Sequence, residues 1–237
     1  MSNQEVGPDA ATKGWQLNYG ALLDAIIIIA VLVVVKQLCL IYINKFAGPI
    51  STFTAMFVAT WRLRARDMSW ADLGFKKPES WWRTLLLSGL VFGVIVLFSA
   101  AGSGIAGLFY EKGYVFNRFG DLEGDVPMYL MWMALVWTHS AFFEEMLFRA
   151  FIINRLGTFL GGSTAATLVS VTLAAVFFGY RHAYYQGAYG FVVTGVIGFG
   201  LGLVYVWFGK GNLLPQILAH GYVNSIGFTL RFLGMRD

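Results

Sequence analysis

The chain has 237 residues, of which 57% are hydrophobic and only 13% are charged. This composition excludes an ordinary soluble domain, because such domains carry about 25% charged residues. The formal net charge of +4 gives no reason to expect nucleic acid as a partner, and the single cysteine, Cys39, excludes an intramolecular disulfide and a cysteine-rich metal site.

The amino-terminal part of the chain predicts one membrane span. Residues 1–20 are mostly polar, and Ala21–Ile43 is apolar and long enough to cross a bilayer as a span that is retained in the mature protein. Asp24 and Lys36 lie within this run. Their charged groups are predicted to snorkel toward the membrane interfaces, so the sequence assigns them no chemistry.

A break and a basic loop follow the first span. The Gly-Pro pair at 48–49 is predicted to break the chain, and Ile50–Trp61 is too short to span the bilayer alone, so it is expected to lie in the interface or to re-enter. Residues 62–83 carry six Lys or Arg against three Asp or Glu, which predicts a cytoplasmic loop. Thr84–Phe109 is the next predicted span, and the acidic loop Tyr110–Asp125 is expected on the opposite side.

The second half of the chain predicts further membrane helices. Their ranges are Val126 to about Leu156, Ser163–His182, Gly187–Phe208 and Leu213–Phe232. Small residues recur every four positions in one of them, at Gly190, Thr194, Gly198 and Gly202, which predicts close helix packing. The predicted fold is therefore an all-α, polytopic transmembrane bundle of about six to seven spans with an active site between helices within the membrane. We divide it into a polar segment (1–20), a membrane region (21–125) and a core (126–232).

An ionisable cluster lies inside the helix that begins near Val126. Glu144 and Glu145 interrupt an apolar run, and Arg149 follows one helical turn later. A charge at the centre of a membrane helix costs roughly 2.5–3.5 kcal/mol on insertion scales, so such a cluster indicates function. Glu145 and Arg149 are spaced to form a lateral ion pair, whereas Glu144 projects about 100° away on an α-helix and is free to face the bundle interior.

Two further pairs of side chains share one face of their helices. Phe178 and His182 are four residues apart, as are His220 and Asn224. Helical rise places Glu144, His220 and Asn224 in one depth band, with His182 displaced toward the other face. The remaining histidine, His139, is expected to pack or to support the site indirectly, whereas Tyr180 and Arg181 are expected at its rim, where Arg181 could engage a substrate carboxylate.

These three blocks, in this order on three helices, resemble the CAAX-protease and bacteriocin-processing family of intramembrane endopeptidases. The matching patterns are Glu144-Glu145-x-x-x-Arg149, Phe178-x-x-x-His182 and His220-x-x-x-Asn224, and the resemblance covers about Val126–Phe232. It implies an enzyme that hydrolyses a peptide bond of a membrane-embedded or lipidated protein or peptide in the bilayer. It also implies a multi-pass protein, which we expect in a bacterial cytoplasmic membrane.

The resemblance also implies roles for individual residues. Glu144 would activate water with help from His182, while His220 and Asn224 would bind the scissile carbonyl oxygen. Amide hydrolysis needs such a base and such donors, and it needs water, so a polar cavity is expected between these helices. The residues that would support them are Glu145, Arg149 and Phe178.

The sequence leaves the use of a metal open, because the family has been described both as metal-dependent and as glutamate-dependent. Glu144, His182 and His220 could supply the three protein ligands of a catalytic zinc or another divalent ion. Against this, the His-Glu-x-x-His pattern of many zinc proteases is absent.

Other interpretations of the same residues remain open. The charges could form a buried ion-pair network that only fixes helix packing. A transporter or proton relay also uses intramembrane Glu and His, but it would favour internal repeats, and the sequence shows none clearly. A third alternative is a non-catalytic immunity or scaffold protein of the same fold. If the six-span count holds, the His182 end of its helix lies on the extracytoplasmic side.

Overall fold

A computed structural model describes residues 17–120 and 122–235, and these residues form helices and loops without a strand. Most of the polar segment predicted at 1–20 lies outside the described residues. The α-helices are α1 Tyr19–Tyr42, α2 Ala47–Arg64, α3 Trp81–Gly107, α4 Val126–Leu135, α5 Asn154–Phe159, α6 Thr164–Val204 and α7 Leu214–Phe232. The π-helical segments Val136–Phe143 and Glu145–Ile153 join α4 to α5, and Tyr205–Gly209 continues α6 in the same form.

Three helices in the described part of the chain are long and apolar enough to cross a membrane. They are Tyr19–Tyr42, Trp81–Gly107 and the combined element Thr164–Gly209. The protein is therefore an all-helical integral membrane protein, as predicted. Three helices meet the criteria of length and apolarity, whereas the sequence predicted six or seven membrane spans.

The segment after α1 forms a longer helix than predicted. It begins at Ala47 and continues through residues 48–49, because proline is tolerated in the first turn of a helix. With 18 residues, α2 is about 27 Å long. It runs antiparallel to α1, since Arg62 near its end pairs at 2.7 Å with Asp24 near the start of α1. The predicted chain break at 48–49 is therefore wrong.

The charged groups of α1 face inward. Asp24 is 1% exposed and pairs with Arg62, with Arg66 and, at 3.5 Å, with Arg155. Lys36 is 2% exposed and donates to the Arg181 carbonyl oxygen at 3.2 Å. The prediction that both charges snorkel is wrong. The buried residues of α1 include Asp24, Ile28, Leu32 and Lys36, and this spacing of four places both charges on the apolar inner stripe.

Gly187 divides α6 into two halves that pack side by side. Its backbone has φ 65° and ψ −164°, a conformation that glycine adopts without strain. A Cβ at Gly198 would lie 3.1 Å from the Phe178 ring, and one at Gly202 would lie 2.6 Å from Val171. Gly198 faces Phe178, and Gly202, which comes later in the second half, faces Val171, which comes earlier in the first half. The two halves are therefore antiparallel. This agrees with the predicted boundary at 182–187 and with the predicted packing role of the small residues.

We expect Gly179→Ala to destabilise the protein. A Cβ there would overlap the Phe191 carbonyl oxygen and stand 3.1 Å from Gly195 Cα, so the two halves of α6 would have to separate. Forcing atoms into a packed contact typically costs about 1–3 kcal/mol. Thermal unfolding in detergent measures this loss. The control is Gly93→Ala in α3, where nothing lies within 4 Å and alanine favours the helix; equal melting temperatures for both variants would contradict the close packing.

The helix that carries the glutamates lies at the centre of the bundle. Every residue from Glu145 to Ile153 is buried, and Leu147, Phe148 and Phe151 contribute to the main hydrophobic cluster. A helix that is buried on all sides needs neighbours all round. Among the neighbouring helices, α7 contacts the first π-helical segment, α1 and α6 contact the second, and α2 contacts both.

The basic loop is fastened to the start of α7. The Gly74 carbonyl oxygen accepts from the Leu213 backbone N–H at 2.9 Å, and the Tyr205 hydroxyl donates to the Leu73 carbonyl oxygen at 3.1 Å. Within the loop, hydrogen bonds from the backbone and the hydroxyl of Ser69 lower the pKa of the Asp72 carboxyl. The loop therefore holds the start of α7.

Candidate active site

The π-helical geometry changes which side chains of the central helix share a face. A π-helix closes hydrogen bonds between residues five apart instead of four, and the Glu144 backbone N–H bonds the His139 carbonyl oxygen. His139 Nε2 consequently lies 3.6 Å from Glu144 Oε1. The next pair at the same spacing is Ser140 and Glu145, and both contact His220 of α7.

Glu145 is the carboxylate that bonds the α7 histidine. Its Oε1 accepts from His220 Nδ1 at 2.8 Å and lies 3.3 Å from a terminal nitrogen of Arg149, while the residue itself is 0% exposed. The predicted lateral pair of Glu145 and Arg149 is confirmed. The sequence placed Glu145 only in this lateral pair, but the wider π-helical turn also directs its carboxylate at His220.

Ser140 connects the two α7 residues. Asn224 Nδ2 donates to Ser140 Oγ at 2.7 Å, and His220 Nε2 lies 3.4 Å from the same oxygen. The carboxylate of Glu145 can only accept, so His220 Nδ1 carries a proton and Nε2 is the nitrogen that faces Ser140. Glu145, His220, Ser140 and Asn224 thus form one continuous chain of contacts between the central helix and α7.

Glu144 occupies a separate position beside this chain. It is 5% exposed, and among the described residues His139 is its one ion-pair partner within 4 Å. His182 and His220 are therefore farther than that from its carboxylate. It nevertheless interacts electrostatically with several nearby basic groups: His220, Arg181, Arg149 and Arg118.

His182 is oriented by its own helix. Its Nδ1 donates to the Phe178 carbonyl oxygen at 2.8 Å, and because a carbonyl cannot donate, Nδ1 carries the proton. In the neutral ring Nε2 is then the free acceptor. The Phe178 ring packs against the His182 ring at 4.6 Å and beneath the Arg149 guanidinium at 4.4 Å. Phe178 therefore contacts both the histidine and the ion pair, which fits its predicted supporting position.

The three residues considered as zinc ligands do not converge in the structure. In the described residues, no group of three or more His, Cys, Asp or Glu side chains is placed to hold a metal ion. His220 also has both ring nitrogens directed at other groups, Nδ1 at Glu145 and Nε2 at Ser140. Glu144, His182 and His220 as placed do not fit a three-ligand zinc centre.

Two cavities lie near α7 but outside this cluster. One of about 470 Å³ is a groove between α3 and α7, and one of about 240 Å³ lies beside the basic loop and the turn before α7. Neither is lined by Glu144, His182, His220 or Asn224, so the polar cavity expected between the site helices stays a prediction. The residues lining the first are Leu85, Ser88, Gly89, Phe92, Tyr222, Ser225 and Ile226.

The prediction that Arg181 lies at the rim of the site is wrong. Tyr180 is 45% exposed, whereas Arg181 is 5% exposed and fully engaged inside the bundle. Its guanidinium donates to the Leu32 carbonyl oxygen at 2.7 Å and to Ser51 and Thr52 at 3.0 Å each. The Arg181 side chain is therefore bound to α1 and α2 inside the bundle.

Comparison with known families agrees with the site-bearing half of the chain. Residues 126–226 match the family model described as type II CAAX prenyl endopeptidase Rce1-like. This stretch is similar to an Rce1-like domain. The match includes both glutamates, His182, His220 and Asn224, and it confirms the family resemblance stated from the three motif blocks. No curated protein and no solved structure matches the chain.

The matched stretch contains one polar residue of the site, Ser140, that the sequence motifs did not indicate. Ser140 lies five residues before Glu145, a spacing that carries no meaning on an α-helix but places both side chains together on a π-helix. No sequence pattern used above distinguishes the two helix forms. His139 was expected to support the site, and its position beside Glu144 agrees with that expectation.

Proposed function

We propose that the protein is an intramembrane endopeptidase that hydrolyses a peptide bond of a membrane-associated protein or peptide. Glu144 activates the attacking water with help from His182, and His220 and Asn224 stabilise the oxyanion. The observation that carries the proposal is the chain of contacts Glu145, His220, Ser140 and Asn224, which aligns an imidazole and an amide on one face of α7. The Rce1-like match supports the reaction class.

The separation of the two glutamates suits two different tasks. The Glu145 carboxylate contacts both Arg149 and His220, so it is occupied in positioning these two side chains. Among the described residues Glu144 has one ion-pair contact, the 3.6 Å approach of His139, which leaves its carboxylate available to accept a proton from water. A base held beside a fixed oxyanion site is the arrangement that amide hydrolysis requires.

The oxyanion donors come from the same turn of α7. The Asn224 amide has two N–H groups, and one of them is used on Ser140, so the second remains to donate to a substrate oxygen. Glu145 fixes the ring of His220 through Nδ1, and Nε2 lies 3.4 Å from Ser140 Oγ, the atom that also accepts from Asn224. In the proposed complex Nε2 is protonated, and it donates together with the Asn224 amide to one carbonyl oxygen of the peptide.

The membrane placement is part of the proposal. We place the basic loop 62–83 on the cytoplasmic side of a bacterial membrane. Asp24 meets the loop end of α2, whereas Lys36, three turns farther along α1, meets Arg181 beside His182. The end of the first half of α6, where His182 lies, is therefore placed toward the opposite, extracytoplasmic side.

Cleavage by Asn224→Ala tests the proposal. We expect the variant to release a fragment from a membrane-anchored peptide in proteoliposomes with a kcat about 10²-fold below that of the unaltered protein, because removal of one oxyanion donor typically costs about 10²–10³ in kcat. KM is expected to change little, since the lost interaction forms in the transition state. Mass spectrometry of the released fragment measures the rate and locates the cut.

The matched control is Asn212→Ala. Asn212 also makes a side-chain hydrogen bond to another element, to Thr84 Oγ1 at 3.1 Å, but it lies in the turn before α7, twelve residues before Asn224. The Asn212→Ala variant should cleave the peptide at the rate of the unaltered protein. Release by Asn224→Ala at the rate of the control would contradict the oxyanion assignment, and no release by the unaltered protein from any membrane peptide tested would contradict the protease itself.

A further inference from the structure

A basic pocket of about 240 Å³ lies between the basic loop, the start of α3 and the turn before α7. Its wall carries three exposed basic side chains, Lys76, Lys77 and Arg83. Glu79 is the one acidic side chain among the described residues that line it, so an excess of two positive charges faces the pocket. Sites for drug-sized molecules measure about 300–1,000 Å³, so this pocket suits a smaller anionic group.

The segment that carries the two lysines is fixed at both ends. On one side, the Gly74 carbonyl oxygen accepts from the Leu213 backbone N–H at 2.9 Å. On the other side, the Ser80 hydroxyl caps α3 and accepts from the Arg83 backbone N–H at 3.3 Å. Less conformational freedom is therefore lost when an anion binds between these points, which favours binding.

The pocket lies at the depth of the lipid headgroups. The helix α3 is apolar and long enough to cross a membrane, and it begins at Trp81. Trp81 and Trp82 are 60% and 70% exposed, and tryptophans at the end of a membrane helix are enriched at the headgroup level. Arg83 lies in the same turn of α3. On the proposed cytoplasmic side, basic pockets between membrane helices bind anionic headgroups.

The apolar groove of about 470 Å³ between α3 and α7 continues from this pocket toward the membrane interior. On α3, Arg83 and Leu87 line the pocket, whereas Leu85 and Phe92 line the groove. The two depressions therefore share one helix as a wall, and the groove reaches about 14 Å beyond Arg83 along that helix. Gly89 leaves the groove open, because a Cβ there would have nothing within 4 Å.

The groove and the proposed reaction centre lie on opposite faces of α7. Tyr222, Ser225 and Ile226 line the groove. On a helical wheel they project about 140–240° away from His220, whereas Asn224 projects about 40° away. A molecule in the groove therefore contacts α3 and α7 without entering the proposed reaction centre.

We propose that one anionic phospholipid binds along this seam. Lys76, Lys77 and Arg83 hold its phosphate in the pocket, and one acyl chain lies in the groove. A phosphatidylcholine is a poorer match, because its ammonium group would lie beside three cations. A free phosphate would leave the groove unused. This inference does not depend on the proposed protease function, and its measurements do not require cleavage.

The test counts lipids bound to the full-length protein by native mass spectrometry in neutral detergent. Phosphatidylglycerol and phosphatidylcholine with identical acyl chains are offered in equal amounts. Each basic side chain near an anionic headgroup contributes about five-fold in affinity. The excess of two charges therefore predicts that phosphatidylglycerol is preferred about 10- to 30-fold as the first bound lipid.

The charge variant combines Lys77→Gln with Arg83→Gln. It leaves one cation against Glu79, so the preference should fall to within about two-fold. The matched control combines Arg64→Gln with Lys112→Gln, which removes the same charge from two exposed positions outside the pocket lining, and it should keep the preference. All four changes are at exposed positions, so both proteins should melt in lipid-free detergent at the temperature of the unaltered protein.

The groove variant is Gly89→Leu. The leucine enters the groove without displacing packed atoms, so it should weaken phosphatidylglycerol binding several-fold at an unchanged melting temperature in lipid-free detergent. The matched control is Gly93→Leu, one turn farther along α3. A Cβ at Gly93 also has nothing within 4 Å, but this residue does not line the groove, so lipid binding should be unchanged.

Three outcomes would overturn the proposal. Equal binding of the two lipids to the unaltered protein contradicts an anionic site, as does an equal loss of preference in the charge variant and its control. Displacement of phosphatidylglycerol by millimolar inorganic phosphate, together with normal lipid binding by Gly89→Leu, means that the pocket binds a soluble anion. Slower fragment release by Gly89→Leu at unchanged lipid binding means that the groove holds a peptide instead.

Discussion

Glu144→Gln is expected to lower the cleavage rate by about 10²- to 10⁴-fold, the contribution typical of a general base. Glutamine has nearly the same shape but cannot take a proton from water. The protein should stay folded, because the one ion-pair contact of Glu144 within the described residues is the 3.6 Å approach of His139. Loss of activity at an unchanged melting temperature is therefore the expected combination.

Glu145→Gln provides the matched comparison in the same turn. This change leaves Arg149 buried without its carboxylate and weakens the hold on His220. Removing one partner of a buried pair typically costs about 3–5 kcal/mol, so the melting temperature should fall clearly. The cleavage rate of the folded fraction should fall less than in Glu144→Gln, by about 10- to 100-fold, because the change acts through the orientation of His220.

Both variants are compared at equal amounts of folded protein, by fragment release in proteoliposomes and by thermal unfolding in detergent. The proposed roles predict that the two measurements rank the variants in opposite ways. Glu144→Gln should lose more activity, and Glu145→Gln should lose more stability. If Glu145→Gln is as inactive as Glu144→Gln while equally stable, Glu145 acts directly on the substrate and the proposed base is misassigned.

The site illustrates what helical periodicity predicts and where it stops. The pair Glu145 and Arg149 was predicted from spacing alone and is present, because residues four apart still approach each other along the wider helix. The contact between Glu145 and His220 was not predicted, since an α-helical wheel turns Glu145 away from the face used by Glu144. The π-helical turn arises from packing around residues 136–153, and packing against distant elements leaves no local pattern in the sequence.

The first 110 residues were the least predictable part of the site. Their motifs indicated only a span, a break and a basic loop, yet Lys36 lies beside Arg181 and α2 packs against the central helix. A charged residue near the end of an apolar run usually extends to the interface, so snorkelling was the reasonable expectation. Only the pairing of α1 with α2 shows that the face at 24, 28, 32 and 36 is turned inward.

Asp24→Asn is expected to be the most destabilising polar substitution in the amino-terminal region. The carboxylate is 1% exposed and lies between the guanidinium groups of Arg62, Arg66 and Arg155. Asparagine keeps the shape but removes the one negative charge that the described residues place within 4 Å of these three arginines, so three cations would face one another at the junction of α1, α2 and α5. Breaking a buried charge network from one side typically costs about 3–5 kcal/mol.

Denaturant titration of the purified protein measures this loss. The control is Asp67→Asn, an exposed carboxylate in the turn after α2 whose left-handed backbone, φ 54°, asparagine adopts readily. Its effect should stay within about 0.5 kcal/mol, as for most surface changes. The two predictions for Asp24 then differ by an order of magnitude: a snorkelling side chain would behave like Asp67, since exposed pairs contribute about 0–1 kcal/mol. A small effect would mean that α1 turns the Asp24 face to the interface, and the same rotation would carry Lys36 away from the Arg181 carbonyl oxygen.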